Sequence, residues 1–158
     1  APCSGQSLPA KGEEAPGAFS SAMIDMNVSR QRRIVANGVQ CLAPGGHLLY
    51  LTCTFSRDEN EKVVAWVLKE FPNLVPVGRD ELSAFQSCFA ETPCYRLYPH
   101  QGMGAGGFCA MFRNTDTGEA NYVPIEEMPL GWTYRKGFVG KAAAPKVPAA
   151  KTAPKVKR

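Results

Sequence analysis

The chain has 158 residues, 44% of them hydrophobic, and a net charge of +4, a length and composition sufficient for one folded domain with a core. The charge is uneven: residues 137–158 hold five lysines, one arginine and no acid, so residues 1–136, with 12 basic and 14 acidic residues, carry −2. No apolar run has the length of a membrane span and no signal peptide is recognisable, so we expect a cytoplasmic protein without a membrane partner.

The cysteines do not suggest a metal site. None of the six forms a C-x-x-C pair, and the chain has only two histidines, so we expect no zinc or other metal centre. A disulfide framework is not expected either, because no secretory signal accompanies the cysteines. Since a single cysteine is most often a small buried apolar residue, a functional thiol needs support from its surroundings.

The first predicted elements are a loop and a helix. Residues 1–22 are rich in Gly, Pro, Ala and Ser and predict a long loop. A helix is expected to follow and to run to Leu42, because apolar residues recur at helical spacing. Its predicted N-cap is Asn27 or Ser29, and Pro44 with the two following glycines ends it.

A strand and a second helix come next. Residues 47–52 form a continuous apolar run, typical of a parallel strand buried on both faces. Ser56 and Glu59 have the spacing of a capping box, so a helix is predicted from there to Pro72. Its predicted buried face consists of Val63, Val64, Val67, Leu68 and Phe71.

The remaining pattern predicts short elements. Residues 74–77 suggest a strand broken by Pro76, and residues 80–88 suggest a helical turn or two. Residues 95–98 and 107–113 are predicted strands of a hairpin with a Gly-rich connection. The chain therefore predicts an α/β fold, the second half of a sheet with an antiparallel edge hairpin.

The two ends of the chain differ from its middle. From Lys141 onward the sequence is low-complexity Lys, Ala and Pro, which cannot bury enough apolar surface to fold. We therefore expect one domain over residues 1–136 and a disordered basic tail over residues 137–158. Because Ala1 opens the chain without Met or a preceding strand, we expect a fragment, and we expect the strand at 47–53 to have one unpaired side.

Cys53 has a position that suits a nucleophile. It lies between two threonines at the carboxyl end of a predicted strand, where α/β sheets bind ligands. The positive end of the next helix is expected to lower the thiol pKa below its ordinary value of about 8.5. Topology alone still leaves a buried structural thiol as the alternative.

Two stretches carry a resemblance to a known family. They are APCSG at residues 1–5 and LLYLTCTFSRDENEKVV at residues 48–64. They resemble the two cysteine motifs of the Sun-type RNA 5-methylcytosine methyltransferases, which depend on S-adenosyl-L-methionine. The segments RQRRIVANGVQCLAPGG and CYRLYPHQGMGAGGFCAMF are similar to the same family in the same order, so the likeness runs from residue 1 to about 113.

The resemblance implies a chemistry that uses two thiols. Cys53 is expected to attack carbon 6 of cytosine as a thiolate, which makes carbon 5 nucleophilic, and Cys3 is expected to assist product release. DNA cytosine methyltransferases use the opposite assignment, attack by the Pro-Cys thiol. The Thr-Cys-Thr motif favours the RNA-type roles.

The resemblance also implies the fold and the partners. The fold would be the C-terminal half of a Rossmann-like class I methyltransferase domain, and the substrate ribosomal or transfer RNA, with ribosomal RNA and a role in its processing favoured. Of the residues around the donor only Pro2 is identified, so the missing N-terminal half of the domain is an expected partner. Residues 102–107, GMGAGG, are rejected as a donor site because a strand and not a helix follows them. We expect this chain alone to methylate little or nothing.

Several assignments stay open on the sequence alone. Arg30, Arg32, Arg33 and the basic tail are candidates for contacts with RNA phosphates, although a charged helix face is most often only solvated. The main alternative function is a non-catalytic RNA-binding remnant acting through the tail, and a weaker one is a thiol hydrolase pairing Cys53 with His100. The residues expected to be structural are His100, Tyr98, Phe108, Cys41, Cys88, Cys94 and Cys109.

Overall fold

The computed structural model describes residues 1–7, 20–102 and 104–118. None of the helices in these ranges combines the length and the apolar character that a membrane crossing requires. The basic tail and the end of the predicted domain, residues 119–158, lie outside the described residues and remain predictions. The helices and strands are α1 (Ser21–Gln40), β1 (His47–Thr52), α2 (Glu61–Glu70), β2 (Leu74–Pro76), β3 (Tyr95–Leu97) and β4 (Gly107–Asn114). Short 3₁₀ helices cover Ser4–Ser7, Asp80–Phe85 and Pro99–Gln101.

Helix α1 begins earlier than its sequence pattern predicts. Ser20 is its N-cap, and the Ser20 hydroxyl accepts a hydrogen bond from the Met23 amide at 3.3 Å. The predicted cap at Asn27 or Ser29 is wrong, because no Gly or Pro interrupts the helix before them and Asn27 is buried inside it. Residues 21 and 22 therefore belong to the helix and not to the predicted loop, whose part at residues 8–19 lies outside the described residues.

Strand β4 is the centre of the sheet. It pairs antiparallel with the whole of β1 on one side, and with β2 and β3 near its two ends on the other. The predicted β3–β4 hairpin is confirmed. In the described residues β1 pairs with β4 and with no other strand.

The two faces of β1 differ in their exposure within the described residues. Both α-helices contribute to the core on one face, where Tyr50 of β1 is buried, whereas Leu49 and Leu51 are 51% and 53% exposed on the other. Burial of β1 on both faces, as in a parallel sheet, was therefore a wrong prediction for the described residues. The core consists of Val35, Ala36, Tyr50, Val63, Val64, Val67, Phe71, Leu74, Cys94, Phe108, Ala110 and Phe112.

Helix α2 has the predicted buried face but a different start. Val63, Val64, Val67 and Phe71 are buried as predicted, and Leu68 packs at the margin of the core. The capping box is wrong, because residues 57–60 form a turn and the helix starts at Glu61 without a side-chain cap. The side chains of that turn are used instead to hold other parts of the chain.

Candidate active site

The two motif cysteines lie together at the carboxyl end of β1. The sulfur atoms of Cys3 and Cys53, 50 residues apart in sequence, are separated by 2.8 Å. Gly5 allows this approach: a Cβ at that position would lie 2.4 Å from the Cys53 carbonyl oxygen and 2.8 Å from the Thr54 Cα. The glycine of the first motif is therefore required by contact with the backbone of the second.

The Thr-Cys-Thr motif alternates inward and outward. Thr52 and Thr54 are buried, whereas Cys53 between them is partly exposed, as expected for successive residues of an extended chain. Asn60 holds both threonines: its side-chain oxygen accepts from the Thr52 hydroxyl at 2.6 Å, and its amide donates to the Thr54 carbonyl at 2.9 Å. Asn60 thus holds the end of the strand through the Thr52 hydroxyl and the Thr54 carbonyl, while the thiol is partly exposed.

The environment of Cys53 keeps its proton on the sulfur. Burial, followed by the hydrogen bond with Cys3, raises the pKa of the Cys53 thiol to about 11. The expected lowering by the helix is wrong. Helix α2 begins only at Glu61, whereas the effect of a helix dipole is confined to its first turn.

The Glu59 side chain connects the two cysteine motifs through hydrogen bonds. Its carboxylate is fully buried and accepts from the Ser4 amide at 2.9 Å, from Gln31 Nε2 at 3.0 Å and from the Thr54 hydroxyl at 3.3 Å, as well as from the Ser4 hydroxyl. Gln31 also donates to the Pro2 carbonyl at 2.9 Å. A buried carboxylate is stable only when its oxygens are satisfied in this way.

Sequence reasoning missed the roles of Glu59 and Gln31. The sequence pattern assigned Glu59 to a capping box, and Gln31 was not identified as a site residue. One signal was available: Asn27, Gln31 and Val35 follow each other at four-residue spacing, so two amides lie in the apolar stripe of a helix. All three are buried, and a buried amide requires a partner.

A buried ion pair holds the hairpin to the site. Arg96 of β3 donates to both carboxylate oxygens of Glu61 at 2.6 Å, and its Nη1 donates to the Phe55 carbonyl at 3.1 Å. The Ser87 hydroxyl also donates to Glu61, at 2.6 Å. Burial alone would raise the pKa of Glu61, but the hydrogen bonds from Arg96 and Ser87 outweigh it and lower that pKa below its ordinary value.

These observations converge with the comparison to known proteins. Residues 1–113 match the family model of 16S rRNA methyltransferase RsmB/F. The chain belongs to the RsmB/F family. The match covers the same range as the resemblance seen in the sequence, which is thereby confirmed. RsmB/F proteins, which include the Sun-type enzymes, are methyltransferases that use S-adenosylmethionine.

Individual relatives support the same assignment. Ribosomal RNA small subunit methyltransferase F of Cronobacter sakazakii is 38% identical over 139 residues, which are 87% of this RsmB/F chain and 27% of the relative. The crystal structure of PH0851 is 28% identical, with a TM-score of 0.60 over 71% of this chain and 25% of that one. The chain spans about a quarter of the length of these proteins.

A third likeness concerns the fold alone. NSun6 from Pyrococcus horikoshii, whose crystal structure contains SFG, an analogue of S-adenosylmethionine, is 23% identical with a TM-score of 0.59. The matched region covers 74% of this chain and 29% of the NSun6 chain. The predicted Rossmann-like α/β methyltransferase fold is therefore confirmed.

Two segments considered for donor binding have contacts and turn geometry of their own in this RsmB/F chain. The Pro2 carbonyl is engaged by Gln31. The Gly-rich stretch leads into β4 with positive φ angles of 74°, 64° and 81° at Gly102, Gly104 and Gly106, which is the geometry of turns. The described residues also contain no group of three or more side chains able to hold a metal ion.

The predicted RNA-binding arginines have different environments. Arg30 and Arg33 are exposed on α1, whereas the guanidinium of Arg32 lies 5.4 Å from the ring centroid of Trp66. Arg32 therefore contributes to the packing of α1 on α2. Exposure leaves Arg30 and Arg33 accessible to an anionic partner.

Some of the residues expected to be structural are buried in the core, and others are exposed. Cys94, Cys109 and Phe108 are buried as predicted, whereas Cys41 and Cys88 are exposed, so their assignment to the core is wrong. The reason is local: Cys41 follows the last turn of α1, and Cys88 lies in a loop. An aromatic stack places Tyr98 between Phe55 and His100, at centroid distances of 6.1 and 5.5 Å.

Proposed function

We propose that this chain is the catalytic segment of a cytosine-5 methyltransferase that acts on small-subunit ribosomal RNA, with Cys53 as the nucleophile and Cys3 as the residue that assists release. The observation that carries the proposal is the 2.8 Å contact between the two sulfurs, in a chain that belongs to a family of 16S rRNA methyltransferases. The relatives from Cronobacter sakazakii and Klebsiella pneumoniae are bacterial ribosomal RNA methyltransferases, which also supports the proposed cytoplasmic location.

The exposure of the two thiols supports this division of roles. Cys3 is only 6% exposed, whereas Cys53 is partly open to solvent. A cytosine that has left its stack reaches the Cys53 sulfur first. The sulfurs are too close for a ring to fit between them, so the base is proposed to approach from the open side of Cys53.

The proposed reaction begins with transfer of the Cys53 proton to solvent, to which this thiol is partly open. The thiolate then forms a bond to carbon 6, and the electron pair of the ring double bond moves to carbon 5. S-adenosylmethionine supplies the methyl group that carbon 5 receives. Loss of the carbon 5 proton restores the double bond and breaks the bond between sulfur and carbon 6. Cys3, whose sulfur is within hydrogen-bonding distance of Cys53, is placed to exchange a proton in these steps.

The proposal includes the other segment of the domain. Because the glycine-rich donor turn of the family is not recognised in this sequence, we expect this chain alone to methylate little or nothing, and activity to require the donor-binding segment. RNA is expected to contact Arg30 and Arg33, which are exposed. The rival function, RNA binding through the basic tail, rests on residues outside the described ranges.

Trapping on RNA that contains 5-fluorocytosine tests the proposal. Fluorine at carbon 5 cannot leave as a proton, so an attacking thiol stays attached to the base. In the presence of the donor and the donor-binding segment, Cys53→Ala should abolish the adduct and Cys3→Ala should retain it. Loss of the adduct only in Cys3→Ala would reverse the roles, and no adduct in the unaltered protein would favour the RNA-binding alternative.

A further inference from the structure

We propose that Glu59 is a positioning residue that holds the Cys3 thiol against Cys53, and that its loss affects the step assigned to Cys3 more than the step assigned to Cys53. The catalytic part of this inference rests on the proposed function. The structural part, the placement of one sulfur by a buried carboxylate, does not.

The loop that carries Cys3 is attached on both sides of the thiol to the same cluster. On one side, the Pro2 carbonyl accepts from Gln31 at 2.9 Å. On the other, the Ser4 amide donates to Glu59 at 2.9 Å, and the Ser4 hydroxyl donates to the same carboxylate. Gln31 itself donates to Glu59 at 3.0 Å, so both of these attachments involve this one side chain. A third contact, between the Ser4 and Thr54 hydroxyls at 2.8 Å, does not pass through Glu59.

Cys53 is held by different contacts. Its neighbour Thr52 is paired with Phe108 in the sheet, and Asn60 binds Thr52 and the Thr54 carbonyl at 2.6 and 2.9 Å. The Thr54 hydroxyl reaches Glu59 only at 3.3 Å. Removing the carboxylate should therefore displace Cys3 while the sheet and Asn60 keep Cys53 in place.

The chemistry of Glu59 fits a positioning role. A fully buried carboxylate costs free energy unless each oxygen is satisfied, and an apolar residue at this position would avoid that cost. Only an acceptor with two oxygens can take hydrogen bonds from the amide and the hydroxyl of Ser4 and from Gln31 at once. The Glu59→Gln variant keeps the shape of the side chain but removes its charge. It also replaces one carboxylate oxygen by an NH₂ group, which cannot accept a hydrogen bond from the Ser4 or Thr54 hydroxyl.

The first test uses the rate of disulfide formation, in the absence of RNA, to report how close the two sulfurs lie. Diamide oxidises two adjacent thiols: the sulfurs lose two protons and two electrons and form a disulfide, while the diazene becomes a hydrazine. The product is 2 Da lighter, and peptide mapping assigns it to Cys3 and Cys53. Since a misplacement of about 1 Å can cost 10²-fold in rate, we expect oxidation of Glu59→Gln to be at least about tenfold slower. Glu81→Gln, at an exposed glutamate, should oxidise at the unaltered rate.

The second test separates positioning from a general loss of structure. With unsubstituted RNA, the donor and the donor-binding segment, Glu59→Gln should form the covalent adduct at nearly the normal rate and resolve it slowly, as Cys3→Ala would. A purely structural role would slow both steps alike. Gln31→Met, which removes one attachment and keeps the carboxylate, should change oxidation and resolution in the same direction by less.

The outcomes distinguish the two levels of the proposal. If no variant forms an adduct and the unaltered protein does not either, the proposed function fails, but the oxidation rates still decide the role of Glu59. If Glu59→Gln unfolds, Gln31→Met provides the same comparison. Oxidation within twofold of the unaltered rate in the folded variants, or equal slowing of adduct formation and resolution, would overturn the inference.

Discussion

The buried pair of Arg96 and Glu61 allows a quantitative prediction about stability. Both side chains are 5% exposed, and Arg96→Met would leave the Glu61 carboxylate without the two hydrogen bonds that it accepts at 2.6 Å. It would also leave the Phe55 carbonyl without its donor. Removing one partner of a buried ion pair typically costs about 3–5 kcal/mol, and we expect a loss of that size in the free energy of unfolding at pH 7.

The pH dependence of this loss has a defined sign. The pKa of Glu61 is lowered in the folded chain, so the ionised form contributes stability above the pKa of the unfolded state, about 4.3. That contribution disappears as the pH falls through the lower folded value. The stability difference between the unaltered protein and Arg96→Met should therefore shrink as the pH falls from 7 to below 4.

Urea unfolding followed by tryptophan fluorescence measures both effects. Lys62→Met is the matched control, since Lys62 pairs with Asp58 at the surface, where a pair is worth about 0.2–1 kcal/mol. Adding Glu61→Met to Arg96→Met removes the uncompensated charge and should restore most of the stability. A loss below about 1 kcal/mol, or a loss that does not change with pH, would refute the reasoning.

Three further predictions concern the site and its surroundings. Gly5→Ala should lower the melting temperature and slow formation of the Cys3–Cys53 disulfide, because the new Cβ would lie 2.4 Å from the Cys53 carbonyl oxygen. The control Gly38→Ala, in α1, should be neutral or stabilise the protein by up to about 1 kcal/mol. Equal melting temperatures of the two variants would contradict the prediction. The rate of alkylation of Cys53 by iodoacetamide should rise with pH to a midpoint near pH 11. At pH 7 this rate should be about 300-fold lower than for a thiol with the ordinary pKa of about 8.5. A midpoint below pH 8.5 would contradict this prediction. Replacing Arg30 and Arg33 by Gln should weaken RNA binding and lower the salt dependence of the binding constant by the equivalent of about two phosphate contacts. Filter binding at several salt concentrations measures this. An unchanged binding constant and salt dependence would show that this face of α1 does not contact RNA.

Local patterns predicted the elements better than their ends and neighbours. The apolar periodicity of residues 63–71 identified the buried face of α2, and the run at 47–52 identified β1, because both are properties of consecutive residues. The start of α2 was misplaced because Glu59 bonds to residue 4 and not to its own helix. The exposed face of β1 was missed because a continuous apolar run does not show which faces other elements cover.

The sequence by itself determined the family and the two thiols, since the motifs around Cys3 and Cys53 are short, contiguous and specific in order. Only the tertiary structure decided that the sulfurs touch, that burial and Cys3 raise the Cys53 pKa, and that Glu59 holds the loop of Cys3. The physical reason is that these properties arise from burial and from hydrogen bonds between residues about 30 to 55 positions apart. Such contacts leave no periodic trace in the order of the residues.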